Sequence, residues 1–109
     1  EVRSIAVEHC LDAYGFRVAF ASGQSIVYSG DTRPSENLVR QAADCTLLIH
    51  EATMPDDLAE EAAARRHCTV SEAVDVGVRS RCNACCLTHF SQRFARTFPA
   101  SLPQPAVLA

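Results

Sequence analysis

The sequence predicts an α/β layered fold, with strands and helices alternating along one chain. Three observations carry that expectation. Short apolar runs rich in Val, Ile and Leu recur, and capped helical patterns separate the later ones. Three of the runs give way to a potential metal ligand, at His9, Asp31 and His89. Loops at strand ends are where such folds build their sites.

The elements follow in order. Val2 to Cys10 reads as a strand with Ile5, Val7 and His9 on one face. Phe16 to Ala21 and Ser25 to Tyr28 form a hairpin around Ser22-Gly23-Gln24, where glycine supplies positive φ. Gly30 permits a tight path beside Asp31. Pro34 and Ser35 introduce a helix over Glu36 to Asp44 with Leu38, Val39, Ala42 and Ala43 on one side. Thr46 to Ile49 is a continuous apolar run, which predicts a central strand covered on both faces.

A second helix is expected over Asp56 to Arg66, its stripe being Leu58, Ala59, Ala62 and Ala63. Thr69 and Glu72 have capping-box spacing. The helix they open places Val70, Ala73, Val74, Gly77 and Val78 on one side. Cys85 to Thr88 is the last strand, ending at His89. Residues 1–98 thus belong to one domain, and the proline-bearing stretch 99–109 reads as a mobile tail.

With 109 residues the chain has room for one domain at most, and its 48% hydrophobic content places it among globular chains. A net charge of −3 offers no basic field, which argues against autonomous nucleic-acid binding. It does not exclude RNA as a substrate, because a metal site can dominate the field of a cleft. No apolar run approaches the ~20 residues that span a bilayer, so no membrane partner is expected. A start at Glu1 in place of Met points to a fragment, a processed product or an incomplete gene model. Cys82, Cys85 and Cys86 lack the second Cys-x-x-Cys pair of a zinc ribbon. The cysteines read instead as buried thiols of a reducing compartment.

Imidazole and carboxylate donors suit zinc, or manganese where oxygen ligands increase. His9 and His89 offer nitrogens, and the two oxygens of Asp31 can span two metals. Taken singly, His9 reads more readily as a strand-edge histidine and Asp31 as a turn residue, and spacing does little to change that, since ligands on different strands have no fixed separation.

The order of the motifs is more specific. His9-Cys10 with Ala13-Tyr14-Gly15, then Val27 to Pro34 around Ser29-Gly30-Asp31-Thr32-Arg33-Pro34, resembles the C-terminal half of tRNase Z, particularly its long eukaryotic form. Leu47 to Thr53 is similar to that family's His-Glu-Ala-Thr motif, and His67-Cys68-Thr69 to its His-Ser-Thr motif with cysteine for serine. Leu87 to Phe94 resembles the closing motif, with phenylalanine where tyrosine is usual. The likeness runs from about Val2 to Phe98.

The resemblance implies part of a metallo-β-lactamase-type αββα sandwich, a mixed sheet with flanking helices. It implies endonucleolytic removal of 3′ trailers from precursor tRNA. His9 would bind one zinc, Asp31 would bridge two, and His89 would bind the second. His67 would donate a proton to the leaving oxygen, oriented by Glu51, while His50 is structural. Thr32 and Arg93 are expected phosphate or loop contacts, and Arg33 a solvated charge. The family's His-x-His-x-Asp-His segment and its tRNA-gripping arm have no counterpart here. The chain alone should therefore be inactive, needing an N-terminal half or partner subunit for the other ligands. An intracellular site is implied, in the nucleus or mitochondrion, with the plastid as a further option. The competing readings are a non-catalytic remnant or interaction module, and another hydrolase of the same fold.

Overall fold

The structure, a computed structural model, describes residues 1–94 and the backbone of Ala106–Leu108. One mixed sheet runs in the order β1 (Val2–Ala6), β2 (Tyr14–Ala19), β3 (Ser25–Tyr28), β4 (Leu47–Glu51), β5 (Ala84–Thr88) and β6 (Ala106–Leu108). The first three strands pair antiparallel, and β3 to β6 run parallel. Helix α1 (Glu36–Gln41) crosses from β3 to β4. A 3-10 turn (Asp56–Leu58), α2 (Ala59–Arg65) and α3 (Val70–Ser80) lie between β4 and β5.

The register puts Ile5, Val27, Leu48, His50, Cys85 and Leu87 on one face, and all six are buried. All but His50 join Leu38, Ala73 and Val76 from the helices and Ala42 at the end of α1 in the hydrophobic core. The side chain of Cys85 lies so near Gly77 that a Cβ there would sit 3.1 Å from its sulfur. Glycine is what lets α3 settle on β5.

The opposite face carries Tyr14, Phe16 and Tyr28, each more than 40% exposed, with Ile26, Leu47 and Ile49 half-buried among them. The central run was expected to be covered on both faces. Among the described residues, helices cover only one.

Several boundaries differ from expectation for local reasons. The first strand ends at Ala6, and His9 lies in a bend beyond it, where Glu8 bridges to Arg33. Helix α1 stops at Gln41 because Arg17 donates to the Gln41 carbonyl at 2.6 Å and Asp44 turns the chain with φ of 55°. In α2 only Ala62 of the expected stripe is buried. In α3 Val78 is 51% exposed, and Val76 and Ser80 join the buried arc because the helix packs on α1 as well as the sheet. Within the expected tail, Ala106–Leu108 forms β6 parallel to β5, while the rest of 99–109 lies outside the described residues.

At the ends of β2 and β3 two backbones touch. Gly30 has φ of +62°, and a Cβ there would lie 2.7 Å from the Tyr14 carbonyl oxygen. A Cβ on Gly15 would lie 2.4 Å from that of Tyr28. Only glycine fits at either position, and Asp31 leaves the sheet from this crossing.

Candidate metal and catalytic centre

The site forms where the chain leaves β1, β3, β4 and β5 and where α2 turns into α3. Arg66 ends α2 in the left-handed region with φ of 58°, which swings His67 back toward the sheet. His89 follows β5 with φ of 62°, a conformation costing about 1–2 kcal/mol for a side-chain-bearing residue. Such strain collects at functional sites.

Glu51 is the buried anchor, 1% exposed. Its Oε1 accepts from the Thr32 N–H at 3.0 Å and from His67 Nδ1 at 2.7 Å. Its Oε2 accepts from the Thr53 N–H, the Thr53 hydroxyl and the Cys68 N–H at 2.8–3.0 Å. Burial alone would raise its pKa. The donors from Thr32, Cys68, His67 and Thr53 outweigh burial and hold the carboxyl below its ordinary range. Glu51 is therefore a buried carboxylate with every lone pair engaged, which fixes the ring of His67.

The rings converge. His67 lies 4.8 Å from His9 and 5.7 Å from His89, centroid to centroid. Donor atoms of His9, Asp31 and His67 fall within 4.8 Å of one another, and so do those of Glu51, His67 and His89. The second group is bound up in its own hydrogen bonds. In the first, His9 and Asp31, with Nδ1 of His89 3.5 Å from Asp31 Oδ1, are the better seat for an ion, with His67 beside it. Two or three imidazoles and a carboxylate form a donor set that fits zinc. All three expected ligands thus reach one patch, and His67 stands among them. A cavity of about 660 Å³ opens beside His9, with Arg33, Ala63 and Arg66 in its wall.

The other residues named from the sequence stand as follows. Thr32 is fully buried; its hydroxyl accepts from the Glu8 N–H and donates to the Arg33 carbonyl, so it faces the fold rather than a substrate. Arg93 pairs with Glu61 at 2.8 Å on the surface. Arg33 is no solvated charge. It donates to the His67 carbonyl at 2.6 Å and binds both oxygens of Glu72, the residue that caps α3. Cys68, in place of serine, is buried and donates to the Thr32 carbonyl at 3.1 Å; burial pushes its thiol far up. His50 is buried too, its Nδ1 on the Glu51 carbonyl at 2.6 Å, and burial lowers its pKa.

The sequence reads Arg33 as a solvated charge and assigns Thr53 no role, yet both stand beside the centre. Arg33 stands in the Gly-Asp-Thr-Arg-Pro run and Thr53 in the His-Glu-Ala-Thr run. Membership of those runs was the available signal.

No protein-family model matches the chain. It is 49% identical over 96 residues to the human "Zinc phosphodiesterase ELAC protein 2", matching 88% of this chain and 12% of that protein. It is 42% identical over 100 residues to "Ribonuclease Z, mitochondrial" of Drosophila melanogaster, 87% and 13% of the respective lengths. Among solved structures it resembles a long-form RNase Z from yeast, with TM-score 0.87 and 30% identity over 99% of this chain and 16% of that one. Human tRNase Z, short form, gives 0.84 and 30% over 99% and 39%. The metallo-β-lactamase fold protein YhfI of Bacillus subtilis, at 18% identity and TM-score 0.77 over 86% of this chain and 38% of that one, shares the fold alone. The chain spans about an eighth of the length of these curated relatives.

Proposed function

This chain is a segment of the ribonuclease Z family, and we propose that it supplies part of the centre with which a zinc-dependent endonuclease removes 3′ trailers from precursor tRNA. The observation that carries the reading is the convergence of His9, Asp31, His67 and His89 in front of the buried Glu51. His9 and His89 offer ring nitrogens, and Asp31 a carboxylate able to span two ions. Zinc is the metal this set favours, with manganese the alternative. A bound metal pair supplies acidified water and neutralises charge on the phosphodiester oxygens.

The chain's own residues do the rest. Glu51 holds His67 through Nδ1, fixing its tautomer and plane. The remaining ring nitrogen, when protonated, gives its proton to the leaving 3′ oxygen. Three ligand side chains are too few for two zinc ions at four ligands each. The other ligands come from the remainder of a longer protein or from a partner subunit. We place the activity inside the cell, in the nucleus or mitochondrion, in keeping with the mitochondrial name of the Drosophila relative.

The test is cleavage of a precursor tRNA by the full-length protein. His67→Ala should slow it by roughly 10²–10⁴-fold while the protein still binds the precursor. Unchanged cleavage would remove His67 from the mechanism. Cleavage by this chain on its own would contradict the need for further ligands.

A further inference from the structure

Thr53 Oγ1 lies 2.8 Å from Glu51 Oε2, 2.8 Å from His89 Nδ1 and 3.3 Å from His67 Nδ1, whose own proton goes to Glu51 Oε1 at 2.7 Å. A hydroxyl has one proton to give. Glu51, held ionised by its many donors, can only accept, so that proton goes to Oε2. Were it given to His89 instead, two acceptor oxygens would face each other at 2.8 Å with nothing between them. Thr53 must therefore accept from His89, which requires a proton on Nδ1, from which Asp31 Oδ1 lies further off at 3.5 Å, and leaves the lone pair on Nε2. The main chain holds the hydroxyl in place, since the Thr53 N–H also donates to Glu51 Oε2 at 3.0 Å and the residue is buried.

We propose that Thr53 is a positioning residue: its hydroxyl, committed to Glu51, selects the Nδ1–H form of His89 and leaves the Nε2 lone pair for a metal. One buried carboxylate then orients two histidines with different tasks. It holds His67 directly and His89 through one hydroxyl. A ligand histidine is commonly fixed this way, through its second ring nitrogen, and loss of the partner costs about 10–100-fold in metal affinity. The idea rests on the reading of His89 as a ligand.

The test begins with the metal-free, full-length protein carrying 15N-labelled histidine, at a pH where His89 is neutral. Its ring shifts should report a proton on Nδ1 and none on Nε2. Zinc affinity, measured by chelator competition, should fall about 10–100-fold in Thr53→Val and return in Thr53→Ser. A wild-type His89 protonated on Nε2 would overturn the proposal, as would equal zinc affinity in wild type and Thr53→Val. Thr53→Ser behaving as Thr53→Val would assign the effect to the methyl group and also overturn it. Should Thr53→Val not fold, the wild-type shifts and the serine variant still decide. A wild-type protein that cleaves no precursor tRNA would defeat the functional reading alone. An Nε2-protonated His89 in a cleaving enzyme would defeat only the role of Thr53.

Discussion

His9 and Arg66 grip each other reciprocally. The Nδ1 of His9 lies 2.7 Å from the Arg66 carbonyl oxygen, and Nη1 of Arg66 donates to the His9 carbonyl at 2.7 Å. The bend after β1 and the end of α2, 57 residues apart, are thereby locked at the centre. Because the carbonyl accepts from Nδ1, the other nitrogen of His9 is left for a ligand role.

Arg66→Ala should therefore loosen His9 without unfolding the protein. The carbonyl contact survives, but the side-chain donor is lost. We expect zinc affinity to fall a few-fold, with stability changed by less than about 1 kcal/mol, as for other exposed charged contacts. Chelator competition beside a thermal melt checks both. An affinity equal to wild type would mean that the carbonyl contact alone holds the ring.

Glu72 should make the start of α3 pH-sensitive. Burial raises its pKa, but the Arg33 guanidinium and the Thr69 N–H overcome burial and hold the carboxyl below its ordinary value of 4.5. A carboxylate with a depressed pKa stabilises the fold above about 4.5, and that contribution is lost as pH falls through the folded value. Glu72→Gln should destabilise α3 at pH 7 by about 1–2 kcal/mol, by weakening the cap and the Arg33 pair. The difference from wild type should shrink as pH drops below 4.5. Hydrogen exchange of the α3 amides across that range gives the answer.

Cys68→Ser is expected to be nearly silent. The thiol is buried and its contact runs to the Thr32 carbonyl, while the Cys68 N–H, which any residue there supplies, holds Glu51. A hydroxyl makes a stronger hydrogen bond there but fills less space. The two effects oppose each other, and the net change should stay within about 1 kcal/mol. Precursor cleavage and thermal stability of the two forms should coincide. A large gain in cleavage by the serine form would show that the thiol perturbs His67.

The apolar face around Tyr14, Phe16 and Tyr28 should make the isolated chain self-associate, since exposed apolar patches of this kind seek a partner. Phe16→Glu with Tyr28→Glu should shift it toward monomer in sedimentation velocity. A wild-type chain that stays monomeric at high concentration would contradict the expectation.

Much of the site was legible because strand ends and ligand types coincide in sequence. His9, Asp31, Glu51, His67 and His89 were singled out there, and they meet. Alternation and caps also located the core of β3, β4, α3 and β5. What escaped depends on three-dimensional partners. Arg33 carries no period to betray burial, and its ion pair with Glu72 spans 39 residues. Thr53 reads as an ordinary threonine until the directions of three neighbouring groups are known. Val78 and Val76 traded places because a simple stripe assumes one packing surface, whereas α3 has two. A three-residue strand such as Ala106–Leu108 is too short for any pattern to announce.

The crossing of Gly15 and Gly30 sets how freely this centre can vary. Asp31 is aimed by the main chain, through a contact in which each backbone fills the space a methyl group would need. Side chains nearby can be exchanged without redirecting the carboxylate. Neither glycine can be, since alanine at either would push a carbonyl aside and carry Asp31 with it. The reach of that carboxylate is therefore not open to gradual adjustment by side-chain volume: it is held in its present place or lost in one step.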